Sequence, residues 1–373
     1  MINTQRLGIF KTIGKGALAY EAFVPNSIPF NPDIQYNNEL IFELVRANQY
    51  ITELNTVSSL VSFPSFIPSM IRKEALLSSQ IEGTQATIDD IYLAESTTFM
   101  NDDVEEVFQY QKAYQEALQL MKTLPLSLRF IKTIHNTLMQ GVRGQDKEPG
   151  EFRKTQNWIG GRGSTIQTAQ FVPPPVEEMH QALFQLEQWI HEDKGDHLPL
   201  VNAGLLHYQF ETIHPFLDGN GRIGRMLMLI YLIDKQVLSS SYLYLSFVFK
   251  KHQQTYYRLL DETSRTGQIE AWLLFFLKSV SEACEETLGL FHRLQTLKDK
   301  HEKLLKKRAI PYLRYLESHP IFTVEAMMKT LNKPYDQINC MVNYLRELKI
   351  ISMQNKSKKN RVYVYESLLN LLR

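Results

Sequence analysis

Twelve residues, His214-Pro-Phe-Leu-Asp-Gly-Asn-Gly-Arg-Ile-Gly-Arg225, interrupt two long apolar segments of helical period. No other stretch constrains the fold as much. The segments Leu198 to His214 and Asn220 to Lys235 each read as a helix made to be buried. Their connection therefore falls where a core belongs. Yet it carries an imidazole, a carboxylate, an amide, three glycines and two guanidinium groups. Polar groups at that density in a core are costly unless they serve a site.

Helical periodicity extends over most of the chain. It starts near Asn38, with Leu40, Phe42, Leu44 and Val45 as an apolar face, after an irregular lead-in over residues 1–35. Ser69 to Glu82 reads as one helix closed by Gly83, and Thr87 with Asp90 has the spacing of a capping box. Asn101 or Asp102 caps a helix to about Lys122, and a further helix spans Ser127 to Gln140. Between Gly141 and Pro175 the composition turns to Gly, Arg, Pro, Ser and Thr. Within it, the alternation of Thr165 to Val172 predicts a short exposed hairpin, and Trp158 and Phe171 mark the loop as functional. Helices resume over 176–191, then 248–264 and 269–307.

Composition bounds the rest. With 373 residues, 44% of them hydrophobic and 22% charged, the chain has the makings of an ordinary soluble protein with a large core. Net charge is +1, but residues 301–373 carry 14 Lys and Arg against 6 Asp and Glu. Three predicted helices there (310–317, 323–331, 335–348) precede two alternating segments, 350–353 and 361–365. That order is the pattern of a winged helix-turn-helix. As a DNA reader it would set Tyr335, Gln337, Asn339 and Asn343 near a groove, with Lys356, Lys358 and Lys359 near phosphates; as a protein-contact module it would merely solvate those lysines. The two cysteines, Cys284 and Cys340, lack metal-ligand spacing and suit a reducing compartment. The N-terminus lacks a signal-peptide pattern, and Met226 to Ile233 is too short to span a bilayer, so a cytoplasmic location without membrane contact is expected.

The central stretch suggests its own chemistry. Its glycines fall at a helix N-terminus, where free N–H groups and the helix dipole favour an anion, and Gly219 and Gly221 let backbone amides approach a phosphate. Arg222 and Arg225 suit further phosphate oxygens, Asp218 offers one hard ligand for Mg²⁺, and His214 can take a proton from an attacking hydroxyl. Rival readings fit worse. An EF-hand starting at Asp218 would need Gly at Ile223 and Glu at Leu229; no Walker lysine follows Gly161; and His207, Glu211 and His214 depart from HExxH zinc spacing.

With every defining position filled, these residues resemble the Fic signature HxFx[D/E]GNGRxxR. The segments at Met139–Gly144, Pro149–Arg153, Gln156–Ile159 and Ala169–Pro174 resemble Fic proteins with an N-terminal helical extension, and the likeness takes in the C-terminal winged helix. The resemblance implies a mainly α fold: a Fic helical bundle with a β-hairpin flap plus a winged helix-turn-helix domain. It divides the chain into an extension over 1–100, a catalytic domain over 101–300 and a winged helix over 301–373. It implies AMP transfer from ATP to a Ser, Thr or Tyr hydroxyl of a protein. His214 is then the base, Asp218 the Mg²⁺ ligand, and Gly219, Asn220, Gly221, Arg222 and Arg225 the phosphate cradle. Phe216 is the loop's anchor in the core. Thr165, Ile166, Gln167 and Thr168 belong to the flap, about 163–174, that docks the target. A homodimer is implied by resemblance alone, and Leu245 to Arg258 lie where an adenine wall is expected.

A second motif modifies this expectation. Ser78-Ser-Gln-Ile-Glu82-Gly83 resembles the inhibitory [S/T]xxxE[G/N] of Fic proteins, on a helix at about 69–83. It implies that Glu82 pairs with Arg225 in the space of the ATP γ-phosphate. A carboxylate at a helix C-terminus is electrostatically disfavoured, which favours a functional reason for it. The same carboxylate could position water for the reverse removal of AMP. The alternative from another class is a DNA-binding regulator whose Fic domain senses nucleotide or modifies itself.

Overall fold

Helix boundaries fall close to those expected, because capping residues set many of them. The structure, a computed structural model, describes residues 5–60, 66–97, 100–141, 146–161, 163–192, 197–354 and 361–373. Helix α1 spans Asn38–Leu60, α2 Ile67–Ile81, α3 Ile88–Ser96, α4 Asp102–Leu120, α5 Leu128–Leu138, α6 Val176–Glu192, α7 Pro199–Ile213 and α8 Asn220–Asp234. Thr87 and Asp90 form the reciprocal capping box, Asn101 caps α4 through Val104 N, and Ser127 caps α5 through Phe130 N. Among the described residues no helix is long and apolar enough to cross a membrane.

Helices α7 and α8 form the middle of the core and lie along each other, with α1 against α11 (Ile269–Leu304) and α2 between α4 and α9 (Ser246–Lys251). The predicted apolar face of α1 is only half right: Leu40 and Leu44 are buried, whereas Phe42 is 65% and Val45 52% exposed. One helix was expected over 248–264. Instead α9 ends at Lys251, the following His252 leaves the helical region with φ −113° and ψ 33°, and α10 (Gln253–Thr266) sets off afresh.

Strands depart most from expectation. The lead-in holds a two-stranded antiparallel hairpin, β1 (Gly8–Ile13) with β2 (Tyr20–Pro25), where irregular chain was expected. Phe23 is buried and its N–H bonds Val172 O at 2.9 Å, so the hairpin is held by the flap end. Conversely, residues 165–172 are not a strand pair. Thr168 N donates to Thr165 O and Thr165 N to Thr168 Oγ1, closing a turn, and the flap retains one bridge, Ile159 with Phe171. Local hydroxyl bonds outcompete strand pairing there.

The C-terminal segment comprises α12 (Ile310–Ser318), β3 (Ile321–Thr323), α13 (Val324–Leu331), α14 (Tyr335–Glu347), β4 (Ser352–Met353), β5 (Val362–Val364) and α15 (Glu366–Leu372). Its antiparallel sheet has the order β3-β5-β4. Thr323 caps α13 through Ala326 N, as expected, whereas β3 and α15 were not anticipated. On α14, Tyr335, Gln337 and Asn343 are exposed and Asn339 half-buried; Lys356, Lys358 and Lys359 lie outside the described residues. The segment is tied to α3 by Ser96 Oγ on Ile321 O (2.6 Å) and by Arg373 on Asp89 (2.6 Å).

Candidate active site

The corner between α7 and α8 is built by side chains that act as backbone. His214 ends α7 in the left-handed region, φ 48° and ψ 61°, with its N–H on Phe210 O. Asn220, 2% exposed, spans the following turn: its Oδ1 accepts from Phe216 N (2.9 Å) and its Nδ2 donates to Phe216 O (2.8 Å). Phe216 is fully buried and stacks on His135, with ring centroids 3.6 Å apart. His135 Nδ1 accepts from Gly150 N, so its Nε2 carries the proton and donates to Asp218 O at 3.1 Å. Gly219 has φ 79°, and a Cβ there would stand 2.8 Å from Met139 Sδ. Asn220 is thus a clamp for the turn and not a wall of the cavity. Asn220→Ala is expected to cost about 2–4 kcal/mol by removing both buried bonds; urea unfolding measures it.

His214 is set up to accept a proton. Arg153, itself buried, fixes its backbone by donating Nε to His214 O at 3.1 Å and Nη2 to Pro174 O at 2.5 Å. The His214 Nδ1 lies 3.3 Å from Glu211 O, and a carbonyl can only accept. The proton therefore sits on Nδ1 and leaves a lone pair on Nε2. Burial pushes its pKa down to about 4, so the ring is neutral near pH 7.

Arg225 is the charge centre. It is 1% exposed, donating Nε to Ser78 Oγ (2.9 Å) and Nη2 to both Ser78 O (3.0 Å) and Glu82 Oε1 (2.5 Å). Its Nη1 is buried and has no hydrogen-bond partner among the described residues. Glu82 caps α2, and Gly83 follows with φ 104°. Burial works against the charge on Glu82, but Arg225 prevails and holds its pKa below the usual carboxylate value. A Cβ at Gly221 would overlap the Glu82 carboxylate and stand 3.0 Å from Arg225 Nη1. That glycine is therefore required for the two charges to meet.

Arg222 departs from the expected cradle. Its Nη1 pairs with Glu106 of α4, whose other oxygen takes Thr84 Oγ1, and its Nη2 lies 3.5 Å from Asp218 Oδ1. It braces the turn from behind. Asp218 is 47% exposed at the cavity, with Oδ1 held by Gly219 N at 2.5 Å.

These groups open on a cavity of about 620 Å³. Its floor is Glu82, His214, Asp218, Gly221 and Arg225; Tyr256, Tyr257 and Leu260 of α10 form one wall. The flap contributes Trp158 to Gly161 with Gln170 and Phe171, whereas Thr165, Gln167 and Thr168 stand exposed at its turn and Ile166 is half-buried. Among the described residues no group of three or more His, Cys, Asp or Glu could hold a metal. His207 Nε2 is instead bonded to Tyr256 OH at 2.8 Å. A single carboxylate such as Asp218 does fit Mg²⁺ that arrives with a phosphate.

Two further carboxyls surround Arg225: burial raises Glu211 to about 8 and Glu74 to about 7. Burial also lowers His135 to about 4 and His207 to about 3. The unfolded chain binds more protons at the three histidines as pH falls below about 6.5, so acid destabilises. The folded chain binds more at the two carboxyls, so stability is also lost as pH rises toward 8. The urea midpoint is expected to peak near pH 6.5 (roughly the unperturbed histidine value).

Glu106 and His135 were missed from sequence, because each reaches its partner only through the tertiary fold. Residues 125–232 match the Fic/DOC family and residues 41–119 match the Fic/DOC family N-terminal, together about half of the chain. The chain is 30% identical over 173 residues to protein adenylyltransferase Fic of Drosophila grimshawi, covering 46% of this chain and 31% of that protein. The Drosophila mojavensis protein of the same name is 28% identical over 173 residues, with 46% and 30% covered. The chain thus spans about a third of the length of these relatives. Its fold is shared with a Fic family protein from Desulfovibrio desulfuricans G20 (TM-score 0.61, 19% identity, 89% of this chain and 97% of that one). A Fic domain containing signaling protein from Bacteroides thetaiotaomicron is also similar (TM-score 0.52, 20% identity, 66% and 95%). With both family segments present around the HPFLDGNGRIGR corner, the chain belongs to the Fic/DOC family.

Proposed function

We propose that the protein is a protein adenylyltransferase held back by its own Glu82. The observation that carries this reading is the buried Arg225, paired with Glu82 beside a cavity that also exposes His214 and Asp218. ATP enters with its phosphates toward Gly221 and Arg225 and its base toward Tyr257 and Leu260. The target's Ser, Thr or Tyr hydroxyl oxygen attacks the α-phosphorus, the bond to pyrophosphate breaks, and His214 Nε2 takes the hydroxyl proton. Mg²⁺ on Asp218 would neutralise phosphate charge. Positioning and charge stabilisation supply most of the acceleration. The flap holds the target segment by backbone pairing. Glu82 occupies the γ-phosphate position and prevents that alignment; positioning water for removal of AMP is a second use of the same carboxylate. A cytoplasmic homodimer that also modifies itself fits this reading.

The test is labelling of lysate proteins by the Glu82→Gly variant with ATP labelled at either the α or the γ position. Transfer from the α position alone, found by mass spectrometry on a hydroxyl side chain, supports the reading. Transfer from the γ position, or none, overturns it. A second reading, DNA binding through the C-terminal segment, rests on exposed Tyr335, Gln337 and Asn343 along α14. A salt-sensitive gel shift without nucleotide favours it.

A further inference from the structure

Glu211 is a wall of the cavity that the reading above leaves without a task. It stands on α7 one turn before His214, and its Oε1 is fully buried with no group bonded to it among the described residues. Space for that oxygen comes from Gly224: a Cβ there would overlap it and stand 3.2 Å from His207 Nδ1. Glycine inside a helix costs about 1 kcal/mol relative to alanine. In α8 it lets a carboxyl lie against the helix backbone. Arg225 Nη1, likewise buried, is also without a partner among the described residues. Buried orphans at a cavity wall are groups whose partner a ligand can supply.

Charge decides which form of Glu211 can meet that ligand. The groups facing this region are Arg225 on α8, Glu82 and Glu74 on α2, His207 and His214 on α7, and Tyr256, Tyr257 and Asp261 on α10. Burial raises Glu211, Arg225 opposes and Glu82 reinforces, leaving it at about 8. Phosphate in place of Glu82 repels a carboxylate at least as strongly, whereas a carboxylic acid can donate to it.

We propose that Glu211 is a further nucleotide-binding residue, meeting the phosphate that replaces Glu82 as a neutral acid and donating a hydrogen bond to it. The proposal rests on the nucleotide reading of the cavity. With Glu82 removed and no ligand bound, Glu211 is free to ionise against Arg225. Ligand binding then returns it to the acid, drawing a proton from solvent.

The test is calorimetry at pH 8 with α,β-methylene ATP, in two buffers of different ionisation enthalpy. Glu82→Gly is expected to take up about one proton per ligand. The double variant with Glu211→Gln is expected to take up none more and to bind within a few-fold, since the amide still donates. The double variant with Glu211→Leu is expected to bind roughly 10-fold more weakly. Equal proton uptake by Glu82→Gly and its Glu211→Gln derivative overturns this proposal alone. Absence of any binding by Glu82→Gly overturns it together with the nucleotide reading.

Discussion

Glu82→Gly is expected to raise AMP transfer by roughly 10- to 100-fold, the range set by losing a charge-assisted bond of about 1.5–3 kcal/mol. Arg225 is buried, cannot lose its charge, and pairs with the carboxylate of Glu82 at 2.5 Å. In the proposed function a γ-phosphate displaces that carboxylate from the same guanidinium. Glycine removes the competitor while Ser78 goes on holding Arg225 Nε, so the site keeps its shape. The measurement is the initial rate of α-label incorporation at equal protein concentration. Equal rates in the two proteins would remove the inhibitory role.

His214→Ala, made in the Glu82→Gly background, is expected to lower transfer by about 10²- to 10⁴-fold, the usual contribution of a positioned general base. Its imidazole is neutral, carries its proton on Nδ1 and leaves a lone pair on Nε2. Nucleotide affinity is expected to stay within about 3-fold, because the groups that face the phosphates, Gly221 and Arg225, remain and only a base acting in the transition state is gone. Single-turnover rates and equilibrium binding separate the two effects. Persistent transfer would assign the base elsewhere.

What the sequence reveals of this molecule follows the range of the interactions involved. Thr87, Asn101, Ser127 and Thr323 announce their helices because each cap bonds a backbone N–H three residues on. The break at His252 carries no Pro or Gly to mark it. The hairpin of β1 and β2 was illegible because its strands show no clean alternation: GIFKTI exposes Ile9 and Phe10 and buries little else. Within the site, the residues of the HPFLDGNGRIGR stretch were all in view, but not their division of labour. Asn220 and Arg222 support the turn, and Arg225 faces the cavity. The partner that turns Arg222 away is Glu106, 116 positions earlier in the chain. Such long-range pairs leave no periodic signal.

In the proposed function one guanidinium, Arg225, is contested by Glu82 and the outermost phosphate of a nucleotide. The ratio of ATP to ADP affinity, measured by calorimetry with Mg²⁺ in wild type and in Glu82→Gly, tests it directly. ADP lacks the phosphate in question, so removal of Glu82 should strengthen ATP binding more than ADP binding and raise the ratio. An unchanged ratio would mean that Glu82 and the γ-phosphate do not share Arg225, and would contradict inhibition by Glu82.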